Sequence, residues 1–158
     1  MSVLGELPAV ELGKATGALR DLWSRLKGDA HVPLRSAFTP ELLKPWLSNI
    51  VVVEAVGTEP RFLVRLAGTA AVSFAGRDFT GKFLDDVIHA DRYEATVEPY
   101  RRAIETAQPV EDDILRDQFI APDSTNLPVR RLIMPCSGDG ALINRFVVGL
   151  FLYRPESS

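Results

Sequence analysis

Apolar residues recur at Leu12, Ala15, Leu19, Leu22 and Leu26, in steps of 3, 4, 3 and 4. That spacing makes one stripe of a helix, which Trp23 widens and Gly28 stops. Gly13 and Gly17 each weaken a helix by about 1 kcal/mol relative to alanine, so the firm part is expected from Thr16, whose hydroxyl can cap it. Thr39-Pro40-Glu41 has the marks of a second start: a hydroxyl cap, proline at the first helical position and an acid facing the dipole. Pro45 ends that turn. Ile50-Val51-Val52-Val53-Glu54 is β-branched and reads as a strand. Arg61 to Leu66 alternates, with Phe62, Val64 and Leu66 on one face. Gly57, Glu59 and Pro60 lie between the two strands and predict a hairpin.

From Gly68 to His89 the glycines leave room only for helices of one or two turns, near residues 69–74 and 83–88. Asp91-Arg92-Tyr93-Glu94 has capping-box spacing with aspartate as the cap. Tyr93, Val97, Tyr100 and Ile104 continue one stripe, inside which Pro99 is expected to kink or interrupt the helix. Strands follow at about 110–119, 129–136 and 144–153, divided by turn-rich segments at 122–126 and 137–140. In the last strand Phe146, Val148, Leu150 and Leu152 share one face, while Val147, Phe151 and Tyr153 make the other apolar as well. Both faces therefore need cover, and the 12–27 helix is available for its own sheet, a partner's, or both. This order predicts an α+β fold: one antiparallel sheet, short helices on one face and the N-terminal helix on the other. The expected divisions are a flexible 1–11, the helix at 12–28, the main domain at 29–154 and a loose tail at 155–158.

Composition narrows the classes. A chain of 158 residues is one domain that can bury about 70% of its unfolded surface. Eighteen basic against 21 acidic residues leave −3, which argues against a nucleic-acid or anionic-membrane surface over the whole chain. One cysteine, Cys136, excludes an internal disulfide, and two histidines 58 positions apart have no metal-ligand spacing. The opening residues lack a secretory signal, and the apolar run from Phe146 to Tyr153 is far short of the ~20 residues of a membrane span. A cytoplasmic location is expected.

The element order resembles the PAS fold, a five-stranded antiparallel sheet with short helices across one face. Within it, the chain is similar to the small single-domain PAS proteins of alphaproteobacterial type. The resemblance is carried by Leu22-Trp23, Pro33-Leu34-Arg35-Ser36, Pro40-Glu41-Leu42, Ile50 to Glu54, Phe62 to Thr69, Gly76 to Lys82, and Arg131 to Pro135 before Ser137-Gly138-Asp139-Gly140. Val87 to Arg92 also echoes the His-Pro-Glu/Asp-Asp-Arg turn of many PAS domains, with Ala90 where proline is usual. The resemblance implies a signalling module that senses a small molecule or acts as an adaptor through dimerisation. With no kinase, cyclase or phosphodiesterase segment before Ser158, output is expected to pass through a partner protein.

Catalysis is not expected. Neither His31 nor His89 has a nucleophile elbow nearby, and Gly138-Asp139-Gly140 lacks the rest of a phosphate loop. Asp85-Asp86 and Glu111-Asp112-Asp113 read as surface charge. A cone-shaped α+β enzyme of the ketosteroid-isomerase-like type is the alternative, but such chains place their long helices before most strands. Ligand-binding PAS domains imply a pocket between sheet and helices, here at Phe62, Val64, Phe74, Phe79, Phe83, Met134, Phe146 and Val148. Haem-binding members imply His89 as a candidate iron ligand, with a metabolite the other candidate signal. The Asn-Cys-Arg-Phe-Leu-Gln-type motif of photosensory flavin domains is missing, and Cys136 is expected to be inert. Arg131 with Arg145 is a candidate anion site. Leu12, Ala15, Leu19, Leu22, Trp23 and Leu26 are candidate homodimer contacts. The expected function is a non-catalytic PAS sensor or adaptor working through protein contacts.

Overall fold

The computed structural model describes residues 6–114 and 127–155. The leucine stripe does form one long helix, α1 (Ala9–Lys27), closed by Gly28 at φ 54° with its N–H on the Ser24 carbonyl. It starts earlier than the two glycines suggested. Thr16 lies inside the helix, its hydroxyl donating to the carbonyls of Leu12 and Gly13, so it is no cap. Just before it, β1 (Leu7–Pro8) pairs in parallel with Tyr153 and Arg154, which gives part of the expected flexible N-terminus a fixed place. Residues 1–5 and 156–158 lie outside the described residues, as do 115–126, where the expected strand end and turn fall.

After α1 comes the short helix α2 (Pro40–Leu43), capped by the Thr39 hydroxyl accepting from the Leu42 N–H and continued as a 3-10 turn to Asn49. The strands β2 (Ile50–Val56) and β3 (Arg61–Ala67) form the hairpin that the pattern predicts. A Cβ on Gly68 would stand 2.3 Å from the Ser48 carbonyl oxygen, so only glycine lets β3 leave the sheet so close to this turn. Then follow α3 (Thr69–Ala75), α4 (Leu84–Val87) and α5 (Tyr93–Thr106).

Two local expectations at α5 are corrected. Its N-terminus continues a 3-10 turn of Ala90–Arg92, with Arg92 at the cap position and no side-chain cap, so Asp91 does not serve there. Pro99 is buried within an unbroken helix. It supplies no N–H to the Ala95 carbonyl, and at the next residue the Thr96 carbonyl accepts a side-chain donor, Arg131 Nη1, at 2.8 Å.

The last strands are β4 (Val110–Ile114), β5 (Val129–Ser137) and β6 (Ile143–Arg154). Five antiparallel strands run in the order β3-β2-β6-β5-β4, with β1 added alongside β6. The two hairpin regions join where β2 pairs with β6, Val51 opposite Val148 and Val53 opposite Phe146. The sheet separates two cores. On one face, Phe62, Phe146, Val148, Leu150 and Leu152 meet α3, α4 and α5. On the other, Leu132, Met134, Val147 and Phe151 meet Leu12, Leu19, Leu22 and Trp23 of α1.

The N-terminal helix thus covers the back of its own sheet. Gly149 permits the close approach, since a Cβ there would lie 3.3 Å from Leu19 Cδ1 and 2.8 Å from the Phe151 ring. Trp23 Nε1 donates to the Pro135 carbonyl at 2.8 Å, pinning the far end. The six residues offered as dimer contacts are spent inside the protomer: Leu12, Leu19, Leu22 and Trp23 are buried, and Ala15 and Leu26 pack beside them. Their apolar surface faces the protomer's own sheet.

Cys136 belongs to this same outer core. Burial pushes its thiol up to about 12, against smaller opposing effects of a backbone hydrogen bond at Val147 and the Arg35 charge. The thiol is therefore protonated and shielded at neutral pH. A disulfide-exchange reagent at pH 8 is expected to leave native protein unlabelled while labelling urea-unfolded protein at once. Rapid stoichiometric labelling of the native form would contradict this burial.

Candidate functional site

The inner face of the sheet carries the candidate site. Its centre is filled by three rings: Phe62 and Tyr100 with centroids 5.1 Å apart, and Tyr100 edge-on to Phe146, also at 5.1 Å. Such contacts are worth about 0.5–1.5 kcal/mol beyond the area they bury. Beside them a void of about 30 Å³ remains, lined by Val51, Val53, Phe79, Leu84, Ile88 and Ile114, with Thr96, Tyr100, Arg131, Val148 and Leu150 completing the wall. Since one water needs about 10–15 Å³ on this measure, the space suits a few heavy atoms.

Arg131 is the one charged residue of this wall. Alternation along β5 turns it inward while Arg130 points outward, and pairing sets Asp112 of β4 directly opposite it. Arg131 Nε and Nη2 donate to the two Asp112 carboxylate oxygens at 2.9 and 2.7 Å. Its guanidinium carbon lies 5.4 Å from the centre of the Tyr100 ring. Burial takes water from the guanidinium, which favours the neutral form, yet the Asp112 pair and Tyr100 more than offset this and hold its pKa above the ordinary value. Burial also raises the Tyr100 phenol, opposed by the Arg131 charge, so the phenol stays protonated at neutral pH.

The carboxylates either side of Asp112 point to the opposite face of β4. Arg130 donates to Glu111 at 2.6 Å and to Asp113 at 2.5 Å, and Tyr153 Oη donates to Asp113 at 2.6 Å. Arg20 of α1 reaches the other Glu111 oxygen at 3.0 Å. The Arg130 guanidinium is held above its ordinary pKa chiefly by its bond to Asp113. One short strand therefore links the inner void, through Asp112, to the N-terminal helix, through Glu111.

A sequence profile described as the PAS domain matches residues 13–147 of this chain. The chain belongs to the PAS domain family. The role this family supports is that of a signalling sensor. The fold is similar to a light-oxygen-voltage domain studied with a flavin analogue, at 15% identity over 68% of this chain and 79% of that one, TM-score 0.48. It is also similar to a variant of the protein RsLOV, at 12% identity over 88% and 68%, TM-score 0.45. An RNA-binding light-oxygen-voltage receptor matches at 14% identity over 75% of this chain and 34% of that one, TM-score 0.46. At such identities and scores these likenesses argue nothing about ligand or output. No curated protein matches the chain by sequence.

The residues of this PAS domain do not fit a flavin or a haem. Ligand pockets for such groups span roughly 300–1,000 Å³, ten times the void present. The lone cysteine, on the far side of the sheet, cannot reach a flavin on the helical side. His89 is exposed at the entry of the 3-10 turn before α5 and is absent from the cavity wall, so it is not placed as an iron ligand. Among the described residues, no group of three His, Cys, Asp or Glu side chains could hold a metal ion.

Of the eight pocket residues named from the sequence, Phe62, Val64, Phe74, Phe79, Phe146 and Val148 do gather in the inner core. Only Phe79 and Val148 line the void; the rest fill the interior. Met134 is on the opposite face, against α1, because β5 pairs it with outward-facing Val147. Phe83 is half-buried at the β3 edge with the Arg61 guanidinium 3.9 Å above its ring. The Arg131–Arg145 anion site is not formed. Arg145 lies outside the cavity and pairs with Glu54 at 3.2 Å, while Arg131 faces Asp112, so each cation already has a carboxylate. Asp85 is a surface partner of Arg61, at 2.8 Å, as surface charge was expected to be.

Tyr100, Thr96 and the pairing of Arg131 with Asp112 are the functional features that the sequence reading missed. Tyr100 was marked on the α5 stripe, and strand alternation puts Arg130 and Arg131 on opposite faces. Only the β4–β5 register identifies which of the two turns inward.

Proposed function

We propose that this PAS domain is a non-catalytic cytoplasmic sensor module. Its input is a compound of a few heavy atoms in the inner void, and its output is altered contact with a partner protein. The observation that supports this is the 30 Å³ void, whose largely apolar wall includes the buried Arg131 paired with the half-buried Asp112. The acidic groups weighed for acid–base work are engaged with arginines, and both histidines are exposed. The unpaired thiol fits a reducing compartment, and no helix among the described residues is long and apolar enough to cross a membrane. Partner contact would use exposed apolar side chains such as Leu34, Leu42, Leu47, Leu66 and Leu142.

A second reading, an adaptor without any ligand, is favoured by the smallness of the void. Native mass spectrometry of freshly purified protein, followed by denaturation, separates the two. The sensor reading expects a small added mass that denaturation releases. A mass of flavin, haem or nucleotide size would overturn it, and protein that stays bare through a screen of small metabolites would leave the adaptor.

A further inference from the structure

We infer that Arg131 receives the carboxylate of a short-chain monocarboxylic acid, such as formate, acetate or propionate, which binds by taking the place of Asp112. This rests on the sensor reading above and gives its ligand a chemical class. Arg131 already grips a carboxylate with the two donors of one edge, Nε and Nη2, at 2.9 and 2.7 Å, which is the bidentate geometry such an acid would reproduce. The two partners are unequally placed. The Arg131 side chain is 3% exposed and Asp112 is 28% exposed. Asp112 can therefore turn to water with little desolvation to recover, whereas Arg131 stays inside and needs an anion in its place.

Exchange of one carboxylate for another leaves the buried charge balance unchanged. A phosphate dianion would not. The remaining wall sets the rest of the ligand. The polar wall residues Thr96 and Tyr100 stand beside Arg131, where the carboxylate would sit, and Val51, Leu84, Ile88, Ile114 and Leu150 offer no hydrogen-bonding side chain, so an apolar tail suits the rest of the space. The void adds only about 30 Å³ to the space Asp112 vacates, which limits that tail to one or two carbons.

The exchange also has a route outward. Among the described residues β4 is an edge strand bonded to β5 alone, so its displacement breaks no second ladder there. Asp112 is flanked by Glu111 and Asp113, whose carboxylates hold Arg130, Tyr153 and, on α1, Arg20. Releasing Asp112 removes the inner anchor of β4 and shifts load onto this outer network, which reports occupancy to the N-terminal helix.

Two measurements on the full chain test this. Thermal unfolding is followed in sodium formate, acetate and propionate against sodium chloride and phosphate at equal ionic strength, for wild type, Asp112→Asn and Arg131→Met. The short acids are expected to raise the wild-type midpoint above its value in chloride or phosphate. In Asp112→Asn they are expected to bind on the order of tenfold tighter, because the neutral amide holds the guanidinium less strongly than the carboxylate it replaces and is displaced at lower cost. Arg131→Met is expected to lose the response. Equal midpoints in acetate, chloride and phosphate, for both wild type and Asp112→Asn, overturn the proposal. Should a variant not fold, the Arg131 Nε–H resonance of wild type decides: a saturable shift with acetate but not chloride supports the site, and no shift overturns it. If the acids fail while native mass spectrometry shows another small compound, the carboxylate assignment falls and the sensor reading stands.

Discussion

Asp112→Ala is expected to destabilise the domain by about 3–5 kcal/mol, the usual cost of stranding a buried charge. Arg131→Met, which removes the other half of the same pair, is expected to cost only about 1–3 kcal/mol. The inequality comes from where each partner sits. Without Asp112, the guanidinium remains 3% exposed, its fork facing no anion, between Tyr100 and the Thr96 carbonyl. Without Arg131, Asp112 is already 28% exposed and can be hydrated, and methionine fills most of the vacated volume with apolar atoms. What Arg131→Met loses is the donor to the Thr96 carbonyl, an ordinary buried acceptor. Urea denaturation of the two variants and wild type measures the difference. Equal losses, or the reverse order, would mean that Arg131 reaches solvent and that the pair is not the closed inner feature described here.

The same pair shows where sequence reading succeeds and where it stops. The hairpin of β2 and β3, the two faces of β6 and the α1 stripe were legible, because each is a local periodicity backed by a turn residue. Phe146, Val148, Leu150 and Leu152 were assigned together to one face and do lie there. Met134 was misplaced because β5 is apolar on both faces, so alternation alone gives no sign of which side is which. Only its register, Met134 opposite Val147 and Arg131 opposite Leu150, fixes the side. Arg131 was marked with Arg145 as a candidate anion site, whereas the two pair separately with Asp112 and Glu54. The β4 acids looked like surface charge because three in a row hide their alternation, which sends Asp112 inward and Glu111 and Asp113 outward. Caps were misread for a related reason: Thr16 and Asp91 have the right side chains, but the helices begin where packing permits.

Leu19→Asp is expected to unfold the protein, not to convert a dimer into folded monomers. The stripe from Leu12 to Leu26 has the appearance of a helix–helix seam, and a charge in such a seam would only separate partners. Here Leu19 is fully buried against the protomer's own β6, where Gly149 has no side chain so that Leu19 can settle beside Phe151. An aspartate at that point loses the packing of a core leucine, worth about 2–5 kcal/mol, and places a carboxylate among apolar atoms with no cation in reach. The combined loss exceeds about 4 kcal/mol, in the range reserved for buried unpaired charges. A domain of this size has only about 5–15 kcal/mol in total. Near-ultraviolet circular dichroism with light scattering checks the expectation, and Leu19→Ala serves as the graded control that loses packing without charge. The aspartate variant should lose its aromatic signal and cooperative transition, and the alanine variant should keep both with a lower midpoint. A Leu19→Asp protein with native circular dichroism and a halved mass would instead place α1 between two copies and return its leucine stripe to the role of a dimer contact.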